Sequence, residues 1–450
     1  MAKLFGTDGV RGEANVELTP ELAYALGRAG AYVLTKTNHH APQIIVGTDT
    51  RISKDMLQSA LISGMCSMGA RVYPADVLPT PGIAYLVRKY KLDAGVVISA
   101  SHNAFQDNGI KFFNREGYKL PDIIEDEIEY LIKNNLDALP RASGYDAGYI
   151  SACDTALSDY VEFLKSTVPD LNLRGMKISV DCANGAAYKA GPALFSDLGA
   201  DVLPIHNNPN GFNINDKCGS THIESLKEHT LVTKSDAGFA LDGDGDRLMC
   251  VDDNGNILDG DQIMAICGWY KKRRGELVNN TIVATVMSNL GFFLMAKEKG
   301  INIEKTNVGD RYVLERMLLT NAALGGEQSG HVIFLEHNTT GDGLITALQI
   351  LKAMRETDAS LSELNTIMEI MPQITYNAIV DNGKKREYLS HPVIKAEIDA
   401  LEEKYKDDGR VLIRASGTEA KIRVMIEGRD RDMIREDAER VGKLIEMILS

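Results

Sequence analysis

Asp93-Ala94-Gly95-Val96-Val97-Ile98 runs into Ser99-Ala100-Ser101-His102-Asn103, and further on Asp236-Ala237-Gly238-Phe239-Ala240-Leu241 runs into Asp242-Gly243-Asp244-Gly245-Asp246-Arg247. Each is a short apolar run without polar alternation that opens into a loop of small polar residues. A run of this kind reads as an apolar strand that ends in the loop. The chain before each run is also alike. Residues 43–76 carry Ile44-Ile45-Val46, the turn Gly47-Thr48-Asp49, a helix, Gly69 and then Arg71-Val72-Tyr73. Residues 176–205 carry Ile178-Ser179-Val180, the turn Asp181-Cys182-Ala183-Asn184-Gly185, a helix, Gly199 and Asp201-Val202-Leu203. Residues 281–305 repeat the order with Ile282-Val283-Ala284, Ser288-Asn289, a helix, Gly300 and Ile301-Asn302-Ile303. Glycine just past a helix is a stop signal. Strand–helix–strand at this length implies a parallel crossover. The sequence predicts three similar α/β domains with mixed sheets and helices on both faces.

In the third unit the strand Asn321-Ala322-Ala323-Leu324 leads to the loop Gly325-Gly326-Glu327-Gln328-Ser329-Gly330-His331. The three loops therefore hold one topological place. Ligands of open α/β sheets bind beyond the carboxyl ends of strands, so Ser101, the aspartates and Glu327 are expected in one central cleft. From about Glu369 the pattern changes to strand (375–380), helix (391–405), strand (410–414), loop, strand (421–427) and helix (431–449). This predicts a smaller C-terminal α+β domain with an antiparallel pair. The expected boundaries are 1–152, 153–255, 256–368 and 369–450, with a hinge between Thr366 and Gln373 around Pro372.

A chain of 450 residues exceeds one core, and 44% hydrophobic with 25% charged residues is ordinary globular composition. A net charge of −14 disfavours non-specific nucleic-acid or membrane binding, so an anionic substrate needs a local basic site. The six cysteines lack CxxC spacing and suit reduced, mostly buried thiols. The first residues lack the apolar core of a signal peptide, and no apolar run approaches membrane-spanning length. A cytoplasmic location is expected.

Ser101 offers a hydroxyl nucleophile, although a serine before His-Asn also suits a turn or a helix cap. Lys111, ten residues on, can handle a proton or charge, and His102 is an alternative base. Three carboxylates between glycines, Asp242, Asp244 and Asp246, are prohibitive to bury unpaired. Their oxygen-only set favours Mg²⁺ over zinc. An EF-hand fits poorly, because its sixth position, usually Gly, holds Arg247 and its twelfth, usually Glu, holds Asp253. A hydroxyl, a cation cage and the Arg247 guanidinium together suit phosphoryl transfer. Glu327 and Ser329 can grip neighbouring sugar hydroxyls or simply close a β-turn. Arg11, in Phe5-Gly6-Thr7-Asp8-Gly9-Val10-Arg11-Gly12, can reach a phosphate. The loop Arg414-Ala415-Ser416-Gly417-Thr418-Glu419 can give charge, hydroxyls and backbone N–H groups to another, with Arg423 adding a second guanidinium. A competing reading makes Asp242 the nucleophile of a strand-end Asp-x-Asp phosphatase and Ser101 incidental.

Taken together, four ordered motifs resemble those of the α-D-phosphohexomutase superfamily along essentially the whole chain: a phosphoserine loop at 99–103, a metal loop at 242–247, a sugar loop at 326–331 and a phosphate loop at 414–418. The resemblance implies that Ser101 carries a phosphoryl group, with Mg²⁺ held by Asp242, Asp244, Asp246 and a phosphoserine oxygen. It implies Arg11, Glu327, Ser329 and His331 at the sugar phosphate, and Arg414, Ser416, Gly417, Thr418 and Arg423 at the non-reacting phosphate. Ser101, Lys111, His102 and Arg247 would serve the transfer. Within the superfamily, the run 5–12, Cys218-Gly219-Ser220-Thr221-His222 and Glu327-Gln328-Ser329 resemble the branch that acts on glucosamine phosphates. Relatives acting on mannose and glucose phosphates usually carry Met where Gln328 stands. That branch implies conversion of glucosamine 6-phosphate to glucosamine 1-phosphate through glucosamine 1,6-bisphosphate, or a similar sugar bisphosphate as primer. A small sugar phosphate is then the expected partner, with no nucleic acid or membrane, and a homodimer.

Overall fold

The computed structural model describes residues 3–6, 8–36, 40–406, 409–416 and 419–450. Three sheets in it repeat one topology. The first contains β1 (Val10–Glu13), β2 (Gln43–Thr48), β3 (Arg71–Val77), β4 (Ala94–Ile98), β5 (Asp107–Asn114) and β6 (Tyr149–Ile150), in the order β1-β5-β4-β2-β3-β6. The second contains β7 (Lys177–Asp181), β8 (Asp201–Ile205), β9 (Ala237–Leu241), β10 (Leu248–Asp252) and β11 (Ile257–Leu258), in the order β11-β10-β9-β7-β8. The third contains β12 (Thr281–Thr285), β13 (Asn302–Thr306), β14 (Leu324–Gly326) and β15 (Val332–Phe334), in the order β13-β12-β14-β15. In each, the first strand pairs in parallel with the second and third. An antiparallel return strand (β5, β10 or β15) then lies against the third. The strands β4, β9 and β12 are buried at every residue.

Two strand starts of the third repeat move. Asn321 does not start a strand but ends the helix Asp310–Thr320, turning left-handed (φ 55°) to give its N–H to Met317, so β14 starts at Leu324. Likewise Gly300 (φ 64°) caps the helix Leu290–Lys299, and β13 starts at Asn302. The C-terminal region adds β16 (Gln373–Ile379), β17 (Arg410–Ala415) and β18 (Lys421–Glu427). The expected antiparallel pair is part of a three-stranded antiparallel sheet, β16-β18-β17. Ile434, Ala438, Val441 and Ile445, at helical spacing on Arg431–Leu449, share a buried core with Ile422, Val424 and Ile426 of β18.

The chain forms two compact units, residues 1–286 with 301–367, and residues 287–300 with 368–450. The first holds the three α/β sheets. The second holds the C-terminal sheet together with the helix Leu290–Lys299, the crossover between β12 and β13 in chain order. One passage between the units, at 367/368, falls inside the stretch expected to act as a hinge. Of the six cysteines, all free thiols, Cys182, Cys218, Cys250 and Cys267 are buried and Cys66 and Cys153 half-buried. Among the described residues no helix is long and apolar enough to cross a membrane.

Candidate active site

Ser101 and the aspartate loop meet. Ser101 follows β4, Asp242 follows β9, and the Ser101 Oγ–H donates to Asp242 Oδ2 at 2.6 Å, joining residues 141 apart in the chain. Ser101 is 2% exposed and sits at φ 52°, a left-handed conformation that costs a β-carbon residue on the order of 1–3 kcal/mol. Close approach of the loops depends on Gly243: a Cβ there would stand 2.4 Å from the Ser101 carbonyl oxygen.

Asp242, Asp244 and Asp246 are all buried, and their carboxylate oxygens can gather within 4.8 Å of one another. Burial, with Asp244 and Asp246 beside it, pushes the Asp242 carboxyl well above the usual range. At Asp244 burial pushes upward too, but the Lys111 ammonium, with hydrogen bonds from Lys111 and Thr80, more than offsets it and holds this carboxyl low. Thr80 donates from Oγ1 to Asp244 Oδ2 (2.7 Å) and from its N–H to the Asp244 carbonyl (2.9 Å). Asp244 Oδ1 and Asp246 Oδ1 are buried without a hydrogen-bond partner. Buried, unpartnered, oxygen-only donors at this spacing fit a hard divalent cation such as Mg²⁺.

The charges around the cage are interlocked. Lys111 Nζ, 1% exposed, lies 2.9 Å from Asp244 Oδ2 and 2.8 Å from Asp8 Oδ2. Asp8 is also paired with Arg11 and with Lys119, and Lys119 is paired with Asp310. Despite burial, these carboxylates hold the Lys111 ammonium well above its usual range. The amine expected to handle a proton is thus a cation engaged by two carboxylates. His102 Nδ1 is 3.3 Å from Ser101 Oγ. Burial, then Arg247 and Arg11, push its imidazole below the ordinary value and favour the neutral ring. Arg247 gives its backbone N–H to Asp242 Oδ1 (3.2 Å), and its guanidinium lies in the field of the three aspartates and of Glu327.

The third loop joins the second. Leu248 N–H donates to the Gly330 carbonyl (3.0 Å), and His331 Nδ1 is 3.5 Å from Asp246 Oδ2. His331 is 3% exposed, and its Nε2 accepts from the Gly341 N–H at 3.1 Å, so the ring faces protein groups. Glu327 is half-buried, with Oε1 accepting the Gly309 N–H (2.9 Å), while Ser329 is exposed. Gln328 turns away: its Nε2 donates to Asp259 Oδ2 at 3.1 Å, at the capped start of the helix Gly260–Arg273. A Gln328→Met variant is therefore expected to keep its ratio of kcat/KM between glucosamine and mannose phosphates within about 3-fold of wild type and to lose about 1 kcal/mol of stability; a reversed preference in steady-state assays would contradict this.

In the second unit, Arg414 and Arg423 stand directly opposite each other on β17 and β18. Like charges so placed repel unless an anion joins them. The Ser416 hydroxyl accepts the Glu419 N–H (3.2 Å), and Arg423 Nη2 lies 3.3 Å from Glu419 Oε2. Gly417 and Thr418, expected beside them, lie outside the described residues.

Sequence reasoning missed a supporting tier. Asp49, just past β2, accepts from the Arg51 backbone N–H (2.9 Å), from Arg51 Nε (2.9 Å) and from Ser99 Oγ (2.6 Å). Asp181, the last residue of β7, accepts the backbone N–H of Ala183 (2.8 Å) and of Gly219 (2.9 Å) and pairs with His206 Nδ1 (3.0 Å). Asp181 ends the first strand of its repeat and Asp49 directly follows the first strand of its own, and both turns stand in the sequence as Gly47-Thr48-Asp49 and Asp181-Cys182-Ala183.

Fold and site together define a class: a phosphoryl-transfer enzyme built on repeated α/β layers, with a serine hydroxyl at a carboxylate cage. The chain belongs to the phosphoglucomutase/phosphomannomutase family of phosphohexomutases, matching its alpha/beta/alpha domain I over residues 2–138, domain II over 158–255, domain III over 259–371 and its C-terminal domain over 376–444. It is 58% identical over 450 residues to the phosphoglucosamine mutase of Ruminiclostridium cellulolyticum, covering 100% of both chains. Among solved structures it resembles a phosphoglucomutase/phosphomannomutase family protein from Burkholderia thailandensis (TM-score 0.81, 22% identity, 100% of this chain and 98% of that one). It also resembles the Aspergillus fumigatus N-acetylphosphoglucosamine mutase solved with GlcNAc-6P and magnesium (TM-score 0.70, 19% identity, 100% and 97%).

Proposed function

We propose that the protein interconverts glucosamine 6-phosphate and glucosamine 1-phosphate through a phosphorylated Ser101 and glucosamine 1,6-bisphosphate, in the cytoplasm, as a step towards UDP-N-acetylglucosamine and cell-wall synthesis. The observation that carries the reading is Ser101 Oγ at 2.6 Å from Asp242, inside a cage of three buried carboxylates. The full-length similarity to a phosphoglucosamine mutase supports the choice of sugar. A homodimer without nucleic-acid or membrane partners completes the proposal.

In this reading Asp242, Asp244 and Asp246 hold Mg²⁺, which when bound supplies positive charge beside the transferring group. Ser101 gives its phosphoryl group to O1 of the sugar, forming a new P–O bond as the Oγ–P bond breaks, while the O1–H proton passes by way of His102 to the departing Oγ. After the bisphosphate turns over, Ser101 takes the 6-phosphoryl group back. Arg247 and Lys111 contribute fixed cations around the cage, and Arg11 reaches for substrate phosphate. His102, beside Oγ, is placed for proton transfer. Glu327 and Ser329 hold ring hydroxyls in either orientation, with His331 bracing their loop against Asp246. Arg414, Ser416, Gly417, Thr418 and Arg423 grip the non-reacting phosphate.

Two measurements test this. Peptide mass spectrometry after incubation with a sugar 1,6-bisphosphate is expected to find a phosphoester on Ser101. Steady-state kinetics are expected to give kcat/KM for glucosamine 6-phosphate at least about 10-fold above those for glucose and mannose 6-phosphates, a difference of about 1.4 kcal/mol. A preference for mannose 6-phosphate would overturn the substrate assignment. Phosphate on Asp242 with none on Ser101 would overturn the mechanism.

A further inference from the structure

The nucleophile loop is gripped by two side chains from opposite directions. Arg51, fully buried after β2, donates from Nη2 to the carbonyls of Ser101 (3.0 Å) and Asn103 (2.9 Å), and from Nη1 to that of Ala104. Asn215 reaches the same two carbonyls from the second α/β layer, its Nδ2 donating to Ser101 O at 2.9 Å and Asn103 O at 3.0 Å. Both grips have firm backing. Arg51 is held by Asp49, which also binds Ser99, and the Ser99 hydroxyl accepts the Ser101 N–H at 3.0 Å. Asn215 gives its own N–H to the Ala183 carbonyl (2.9 Å), and its loop is fastened at both ends to Asp181, through His206 (3.0 Å) and the Gly219 N–H (2.9 Å).

A left-handed Ser101 at φ 52° persists only if its surroundings over-determine it. Two donors on each of two carbonyls, plus one acceptor for the Ser101 N–H, supply that constraint. We propose that Arg51 and Asn215 are positioning residues that form a two-sided clamp, holding Ser101 Oγ in line for phosphoryl transfer and carrying the position of the metal-binding layer to the nucleophile. Neither side chain is assigned a contact with a reacting atom. Their action is to keep Oγ on its carboxylate partner, where a displacement of about 1 Å costs on the order of 100-fold in rate. The proposal rests on the phosphoserine reading above.

The test compares wild type, Asn215→Asp, Asn215→Ala and the pair Arg51→Lys and Arg51→Met, all in the full chain. Asn215→Asp keeps the shape but replaces two N–H donors with a carboxylate facing two carbonyls. With glucose 1,6-bisphosphate as phosphoryl donor, phosphorylation of Ser101 is expected to slow about 100-fold in Asn215→Asp and about 10-fold in Asn215→Ala. kcat should fall in step, while KM for the sugar phosphate stays within about 3-fold. Arg51→Lys should recover part of what Arg51→Met loses, and does so even if Asn215→Asp folds poorly. Phosphorylation as fast as wild type in folded Asn215→Asp, or no difference between Arg51→Lys and Arg51→Met, would overturn the clamp alone. A wild-type protein that accepts no phosphoryl group on Ser101 would instead overturn the underlying reading, and the clamp with it.

Discussion

Ser101→Ala is expected to abolish interconversion, lowering kcat by about 10⁴-fold or more, while substrate affinity stays within about 3-fold of wild type. The size follows from the loss of the atom to which the proposed mechanism assigns the phosphoryl group. Neighbouring hydroxyls are committed elsewhere: Ser99 Oγ donates to Asp49 and accepts from the Ser101 N–H, and Thr80 Oγ1 donates to Asp244. Alanine also suits the pocket sterically, since it removes one oxygen and adds nothing. Affinity should survive because the groups assigned to the ring and to the non-reacting phosphate, Glu327, Ser329, Arg414 and Arg423, are untouched. Calorimetric titration with glucosamine 6-phosphate beside a turnover assay separates the two effects. Retention of more than about 1% of wild-type turnover would move the nucleophile elsewhere, and Asp242 would be the first candidate.

Why the centre could be read from the sequence, and its supports could not, has a physical basis. Runs such as Val96-Val97-Ile98 and Phe239-Ala240-Leu241 must be buried on both faces, which fixes them as inner strands and their loops as strand ends. Three aspartates between glycines announce a cation because burying them otherwise is so costly. Arg51 and Asn215 leave no such trace. Their partners are backbone carbonyls, which every residue possesses, on a loop 50 and 114 residues away from them. The repeat itself held the missing signal. Asp49 stands one residue past Thr48, which pairs with Ile98, and Asp181 pairs with Ala240, so each aspartate lies two residues before the functional residue of the next strand. The helix Leu290–Lys299 was equally hidden, because crossover grammar gives the order of strands but not the unit a helix packs with.

Gly243→Ala is expected to lower kcat by about 100-fold and stability by about 1–3 kcal/mol. Gly243 does not occupy the left-handed region, so its backbone accommodates alanine and the whole effect comes from contact. A Cβ at this position would stand 2.4 Å from Ser101 O, 2.7 Å from Asn215 Nδ2 and 3.0 Å from Ile214 Cδ1. The closest obstacle is a backbone carbonyl that Arg51 and Asn215 already hold, so it cannot swing aside as a flexible side chain would. The loops must part instead. The Ser101–Asp242 hydrogen bond lengthens, and the two donors of the clamp lose their geometry together. Gly275→Ala is the control: Gly275 is left-handed at φ 70° with open space around its Cβ position, so alanine there costs on the order of 1–2 kcal/mol and leaves kcat at the wild-type value. If both variants melt a few degrees early but only Gly243→Ala loses turnover, the loss belongs to the alignment of the two loops and not to stability. Full activity in folded Gly243→Ala would mean that the nucleophile and the aspartate loop do not need this approach.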